Sequence, residues 1–66
     1  MINYTLMFVA KKDQPDIIEA FNDYQEKMGV IKKAGKKEWE ATIFGKGIKK
    51  VLPSQEQARR FIEANY

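Results

Sequence analysis

Large apolar side chains alternate with smaller or polar ones at the start of the chain. Ile2, Tyr4, Leu6 and Phe8 share one face, and Asn3, Thr5, Met7 and Val9 share the other. A period of two is that of a β-strand. Met7 and Val9 leave the second face partly apolar, which suits a central strand or one whose back is covered. Lys11-Lys12 closes the segment. The period then changes: Ile17, Phe21, Tyr24 and Met28 recur at spacings of four, three and four, with Ile18 beside them, while Glu19, Asp23, Glu26 and Lys27 fall on the opposite side. This stripe predicts an amphipathic helix over residues 14–28. Asp13 would cap it, Pro15 and Asp16 suit its first turn, and Gly29 would end it as a left-handed residue with Val30 as its apolar contact.

Residues 30–37 carry little pattern. Val30-Ile31 can pair briefly, but a hairpin turning at Ala34-Gly35 would set Lys33 against Lys36 and Lys32 against Lys37, and like charges directly opposite are destabilising. A loop, or a strand of two or three residues, is expected there. From Trp39 the alternation returns. A two-residue turn at Gly45-Lys46 opposes Ile43 to Ile48 and Trp39 to Leu52, whereas a three-residue turn would oppose Ile43 to Lys49, so the first register is preferred. Glycine at the first turn position meets the positive φ of a type II′ turn. Ser54 and Gln57 then form a capping box, and Ala58, Phe61, Ile62 and Tyr66 supply the buried stripe of a helix over residues 55–65.

The expected order is βαββα, an α+β fold in which a three-stranded sheet carries two helices packed on one face, a ferredoxin-like layer lacking its last strand. All 66 residues fit one small domain. A chain of this length buries only about 60% of the surface its unfolded form exposes, so function is expected on the surface and a homodimer would add buried area. A sheet edge would stay open, able to recruit another chain.

Composition removes most chemistry. There is no cysteine and no histidine, hence no disulfide framework, no thiolate or imidazole metal site and no imidazole base. Ser54, the sole serine, is accounted for by capping and has no base to activate it. Glu38 and Glu40 share a strand face but are surrounded by lysines that favour ionisation, without the apolar pocket that raises a catalytic pKa. Gly45-Lys46-Gly47 lacks the length and the strand-to-helix setting of a phosphate-cradling loop. The expectation is a non-enzymatic protein with no cofactor and no metal. No segment has the length of a membrane span or the pattern of a secretory signal, and the chain reads as cytoplasmic.

The net charge of +3 hides an asymmetry: residues 1–28 hold three lysines and five acids, a net of −2, and residues 29–66 hold nine cations and four acids, a net of +5. Lys32, Lys33, Lys36, Lys37, Lys46, Lys49 and Lys50 fall within nineteen residues. If the loop and the hairpin tip converge, they form a patch that neutralises several phosphates without reading sequence. Phe44 points away from the Trp39, Ala41 and Ile43 face and is the candidate contact aromatic. Lysines also keep small domains soluble and blunt strand edges, and Arg59 and Arg60 already have helical carboxylate neighbours.

The first expectation is therefore low-specificity binding of DNA or RNA through Lys32, Lys33, Lys36, Lys37, Phe44, Lys46, Lys49 and Lys50. Its rival is a protein-interaction or inhibitor module that docks by a sheet edge or by the acidic helix face Asp16, Glu19, Asp23 and Glu26. A small-molecule site is disfavoured by the volume such a pocket needs. No family is assigned. Hairpin then helix, with Trp39, Gly47, Ala58 and Phe61, faintly resembles modules with which some phage integrases hold DNA, over less than half the chain and on residues that packing alone explains. Double-stranded-RNA-binding domains open their last helix with a basic run, where Gln55-Glu56-Gln57 stands here.

Overall fold

The computed structural model describes residues 6–66. Five strands precede one helix: β1 (Met7–Lys11), β2 (Gln14–Phe21), β3 (Lys27–Gly35), β4 (Glu38–Ile43), β5 (Ile48–Leu52) and α1 (Gln55–Asn65). The strands form one antiparallel sheet in the order β1-β2-β3-β4-β5, a meander in which each hairpin turn lies at the opposite end from the last. This overturns the expected three-stranded sheet with two helices. The α+β label fits poorly, because a single helix rests on a sheet that makes up most of the chain.

The helix expected over residues 14–28 is instead β2, a tight turn and the start of β3. Tertiary burial decides between the two periods. Ile18 and Ala20 are buried on one face of β2, and Ile17, Glu19 and Phe21 alternate onto the other. Pro15 sits near the start of the strand, before its pairing with β3 begins at Ile17, a position where a missing N–H costs no ladder bond. The turn that follows is built by Asn22. Its side-chain oxygen accepts from the Tyr24 and Glu26 amides at 2.9 Å each, and its amide donates to Glu26 Oε1 at 3.1 Å. Gln25 takes a positive φ of 62° to close the loop. Gly29 is not a helix terminator. It lies inside β3, paired with Ile43, where an added Cβ would stand 2.5 Å from the Thr42 carbonyl oxygen.

β3 runs nine residues where a loop or a stub was expected. The like-charge objection is met by moving the turn. It falls at Lys36-Lys37, with an irregularity between Lys33 and Gly35, so that Lys32 faces Glu40 and Lys33 faces Trp39. The next hairpin has the expected register, Ile43 to Ile48 and Trp39 to Leu52, around a turn in which both Gly45 and Gly47 have positive φ. β1 keeps the alternation of Leu6 and Phe8 against Met7 and Val9, but it is an edge strand rather than a central one. Ile2 and Tyr4 lie outside the described residues.

α1 spans the expected residues. Ser54 Oγ accepts from the Gln57 amide at 3.2 Å and caps it. The helix lies across β4, flanked by β3 and β5, and closes a core of Leu6, Ile18, Ala20, Ile31, Ala41, Ile43, Ala58 and Ile62. Each fully buried isoleucine there contributes about 1.5–3 kcal/mol relative to exposure. At the helix C-terminus, Lys46 Nζ donates to the carbonyls of Asn65 and Tyr66 at 2.7 and 3.2 Å. A cation thus meets the negative end of the helix dipole although the last turn carries none of its own. No helix among the described residues is long and apolar enough to cross a membrane.

Candidate nucleic-acid interface

A single helix covers only one face of a sheet, so the alternation that buries Ile18, Ile31, Ala41 and Ile43 leaves their neighbours on the other face. Three rungs of the ladder cross that open face. Met7 pairs with Phe21, Val9 leads through Glu19, Val30 and Thr42 to Lys49, and Ile17 leads through Lys32 and Glu40 to Val51. The result is a shallow depression of about 390 Å3 floored by Ile17, Val30 and Thr42 and edged by Lys11, Lys27, Lys32, Lys49 and Phe44.

Two carboxylates share this floor. Glu19 is ion-paired to Lys27, and chiefly this hydrogen bond holds its carboxyl below the usual range; desolvation acts the other way and is followed in size by the favourable charges of Lys27 and Lys11. Glu40 lies 3.9 Å from Lys49. Lys32 and Lys11 have no salt bridge among the described residues, and they are the cations this face offers to an incoming anion.

The topology splits the lysines that the sequence groups together. Lys32 and Lys49 stand on the open face with Phe44. Lys33 and Lys50 stand on the helix side, their ammonium groups 5.7 Å from the Trp39 ring centroid and 5.6 Å from that of Phe61. Lys36 and Lys37 occupy the β3–β4 turn and Lys46 the β4–β5 turn, at opposite ends of the sheet. Loop and hairpin tip do not converge. Lys46 is engaged by the helix terminus, and Arg59 lies over the Phe8 ring at 5.3 Å. Arg60 pairs with Glu56 at 3.0 Å. Trp39 packs against the core, as its strand face implies.

Lys11 and Lys27 were hidden from the sequence pattern, because the face they share exists only once residues 14–28 are strand and turn. The meander also sets the β1–β2 turn, with Lys12, at the same end as Lys36 and Lys37. Asp13, Asp16 and Glu38 lie at that end too, so the cationic excess is concentrated at the β3–β4 turn. The acidic helix face foreseen as an alternative docking surface does not exist: Asp16 and Glu19 are on β2, and Asp23 and Glu26 are in the following turn.

A second, more apolar depression of about 270 Å3 lies beside the first, lined by Met7, Val9, Phe21 and Gln25. Met7 and Val9 are 58% and 46% exposed, unusual for a strand face that carries large side chains. Tyr24, 84% exposed, stands in the β2–β3 turn at the same end of the sheet as Phe44. No group of acidic side chains among the described residues could hold a metal ion. Comparison of the chain with protein-family models, with curated proteins and with solved structures returns no match.

Proposed function

We propose that this protein is a non-enzymatic nucleic-acid-binding protein that grips phosphates with the open face of its sheet. The observation that carries the reading is a sheet face that no other element among the described residues covers. Lys11, Lys27, Lys32 and Lys49 ring its floor, Phe44 stands at its edge, and Lys36 and Lys37 extend the positive surface past the end of β3. Two of the ring lysines are engaged by carboxylates, which leaves Lys11, Lys32, Lys36 and Lys37 as the set that meets phosphate. These contacts position a backbone and read no sequence.

Fluorescence anisotropy with labelled DNA and RNA of mixed sequence over a salt series tests the proposal. With three or four phosphates neutralised, log K should fall with log salt at a slope of about −2.1 to −2.8 on single strands and about −2.7 to −3.6 on duplex DNA. The double variant K32E/K36E should abolish binding at moderate salt. Failure of the native protein to bind any nucleic acid at low salt would end this reading. The protein-docking alternative has one observation in its favour, the exposed Met7 and Val9 beside the half-buried Phe21, and capture of a stoichiometric protein in place of nucleic acid would favour it.

A further inference from the structure

Resting on that reading, we infer that the ligand is a single strand, with an unpaired base stacked on Phe44. The open face is polarised along the strands. Tyr24 and Phe44 stand at one end, in the β2–β3 and β4–β5 turns, where Lys27 and Lys49 are engaged by carboxylates and Lys46 by the helix terminus, while the cations without a salt bridge among the described residues, Lys32 within β3 and Lys36 and Lys37 in the β3–β4 turn, lie toward the other. Phe44 is 42% exposed, so core packing does not account for its ring. Its backbone is nevertheless fixed, because the Phe44 amide donates to the Met28 carbonyl at 2.9 Å. An exposed ring carried on a hydrogen-bonded backbone, at the same depression as Lys49 and Lys27, is a stacking surface that needs no loop to order before a base can reach it.

The arrangement discriminates between strand forms on two grounds. In a duplex the base faces are already stacked on one another, so an aromatic ring finds only sugar, phosphate and base edge. In a single strand every base offers a face. Glu19 and Glu40 are already engaged by Lys27 and Lys49, whereas Lys11 and Lys32 have no salt bridge among the described residues, so a backbone that tracks Lys11 and Lys32 turns its bases over Val30 and Thr42 and keeps its phosphates off the carboxylates. A flexible strand can take that path. A rigid duplex, whose phosphates lie on both of its outer edges, must bring some of them over the carboxylates.

The test compares a short unstructured oligonucleotide with a duplex of equal length, for the native protein, F44L and K32Q. The native protein should bind the single strand at least about ten-fold more tightly than the duplex, and F44L should lose about ten-fold on the single strand alone, the scale of one stacked base. F44L should keep the native salt slope, F44W should restore affinity, and K32Q should lower the slope by about 0.7 on the single strand. Equal affinity for both forms, or an F44L protein of native melting temperature that binds the single strand as well as the native protein does, would overturn the inference while leaving phosphate binding intact. Loss of all binding to both forms at low salt would overturn the proposed function and this inference together.

Discussion

Replacing Gly29 by alanine tests the register of the sheet that creates the open face. In β3, an added Cβ would stand 2.5 Å from the Thr42 carbonyl oxygen, with Ile62 Cδ1 at 3.5 Å, where ordinary contact begins at 3.4 Å. The obstructing atom is backbone in the interior strand β4, whose ladder to β3 is pinned by Ile31 to Ala41 and Val30 to Thr42. It cannot swing aside as a side chain would. Overpacking of this kind costs about 1–3 kcal/mol, and the reduced freedom of the unfolded chain returns about 0.4–1 kcal/mol. The net loss is about 1.3 kcal/mol at the middle of these ranges, with an upper bound of about 2.6 kcal/mol. For a domain of this size the middle value lowers the melting temperature by about 5–10 °C, from a total stability of only about 3–10 kcal/mol. Gly35 supplies the control, because its added Cβ would meet the Glu38 side chain at 3.0 Å, a group that can move away. G35A should stay within about 0.5 kcal/mol of the native protein. Urea titration followed by Trp39 fluorescence measures both. If G29A proves as stable as G35A, the β3–β4 register is wrong, and with it the composition of the open face.

Removing the Ser54 hydroxyl in S54A should cost about 1 kcal/mol through loss of the helix cap, read from the shift in the urea midpoint. K46M removes the cation that meets the Asn65 and Tyr66 carbonyls and should cost about 0.3–1 kcal/mol, more at low salt than at high; no change would mean that the contact contributes nothing in solution. The Glu19 carboxyl, held below its usual range chiefly by its Lys27 hydrogen bond, titrates lower in the folded state than in the unfolded one. Its contribution is therefore fully present above the ordinary glutamate range and is lost as pH falls through the lowered folded value. In K27Q the Glu19 titration followed by NMR should move back toward the ordinary value. I62A should cost about 2–5 kcal/mol, enough to unfold much of the population on warming, since Ile62 is wholly buried between α1 and the sheet.

The C-terminal half of the fold is legible in the sequence because local and tertiary signals agree there. The Trp39 to Leu52 register follows from apolar pairing and glycine turn chemistry, and α1 follows from its capping residue and a single apolar stripe. Residues 14–28 are misread because Ile17, Phe21, Tyr24 and Met28 satisfy a helical period by coincidence, while Tyr24 is in fact the most exposed large apolar side chain among the described residues. The decisive signals were Asn22-Asp23, which favour a turn, and the adjacent pair Ile17-Ile18, which favours a strand. A strand with apolar groups on both faces gives no clean alternation. The lysine run misleads in a different way: proximity in sequence says nothing of which face a strand residue takes, and adjacent Lys32-Lys33 and Lys49-Lys50 divide between the two sides of the sheet.

The central claim is that the uncovered sheet face, and not the helix, is the surface this protein uses. Amide chemical-shift mapping of the labelled protein during titration with a short single-stranded oligonucleotide addresses it directly. The expected result is a set of perturbations running along Lys11, Ile17, Lys32, Thr42, Phe44 and Lys49, with Glu56 to Asn65 unmoved. Perturbations confined to α1, or none at a protein concentration well above that needed for low-salt binding, would contradict it.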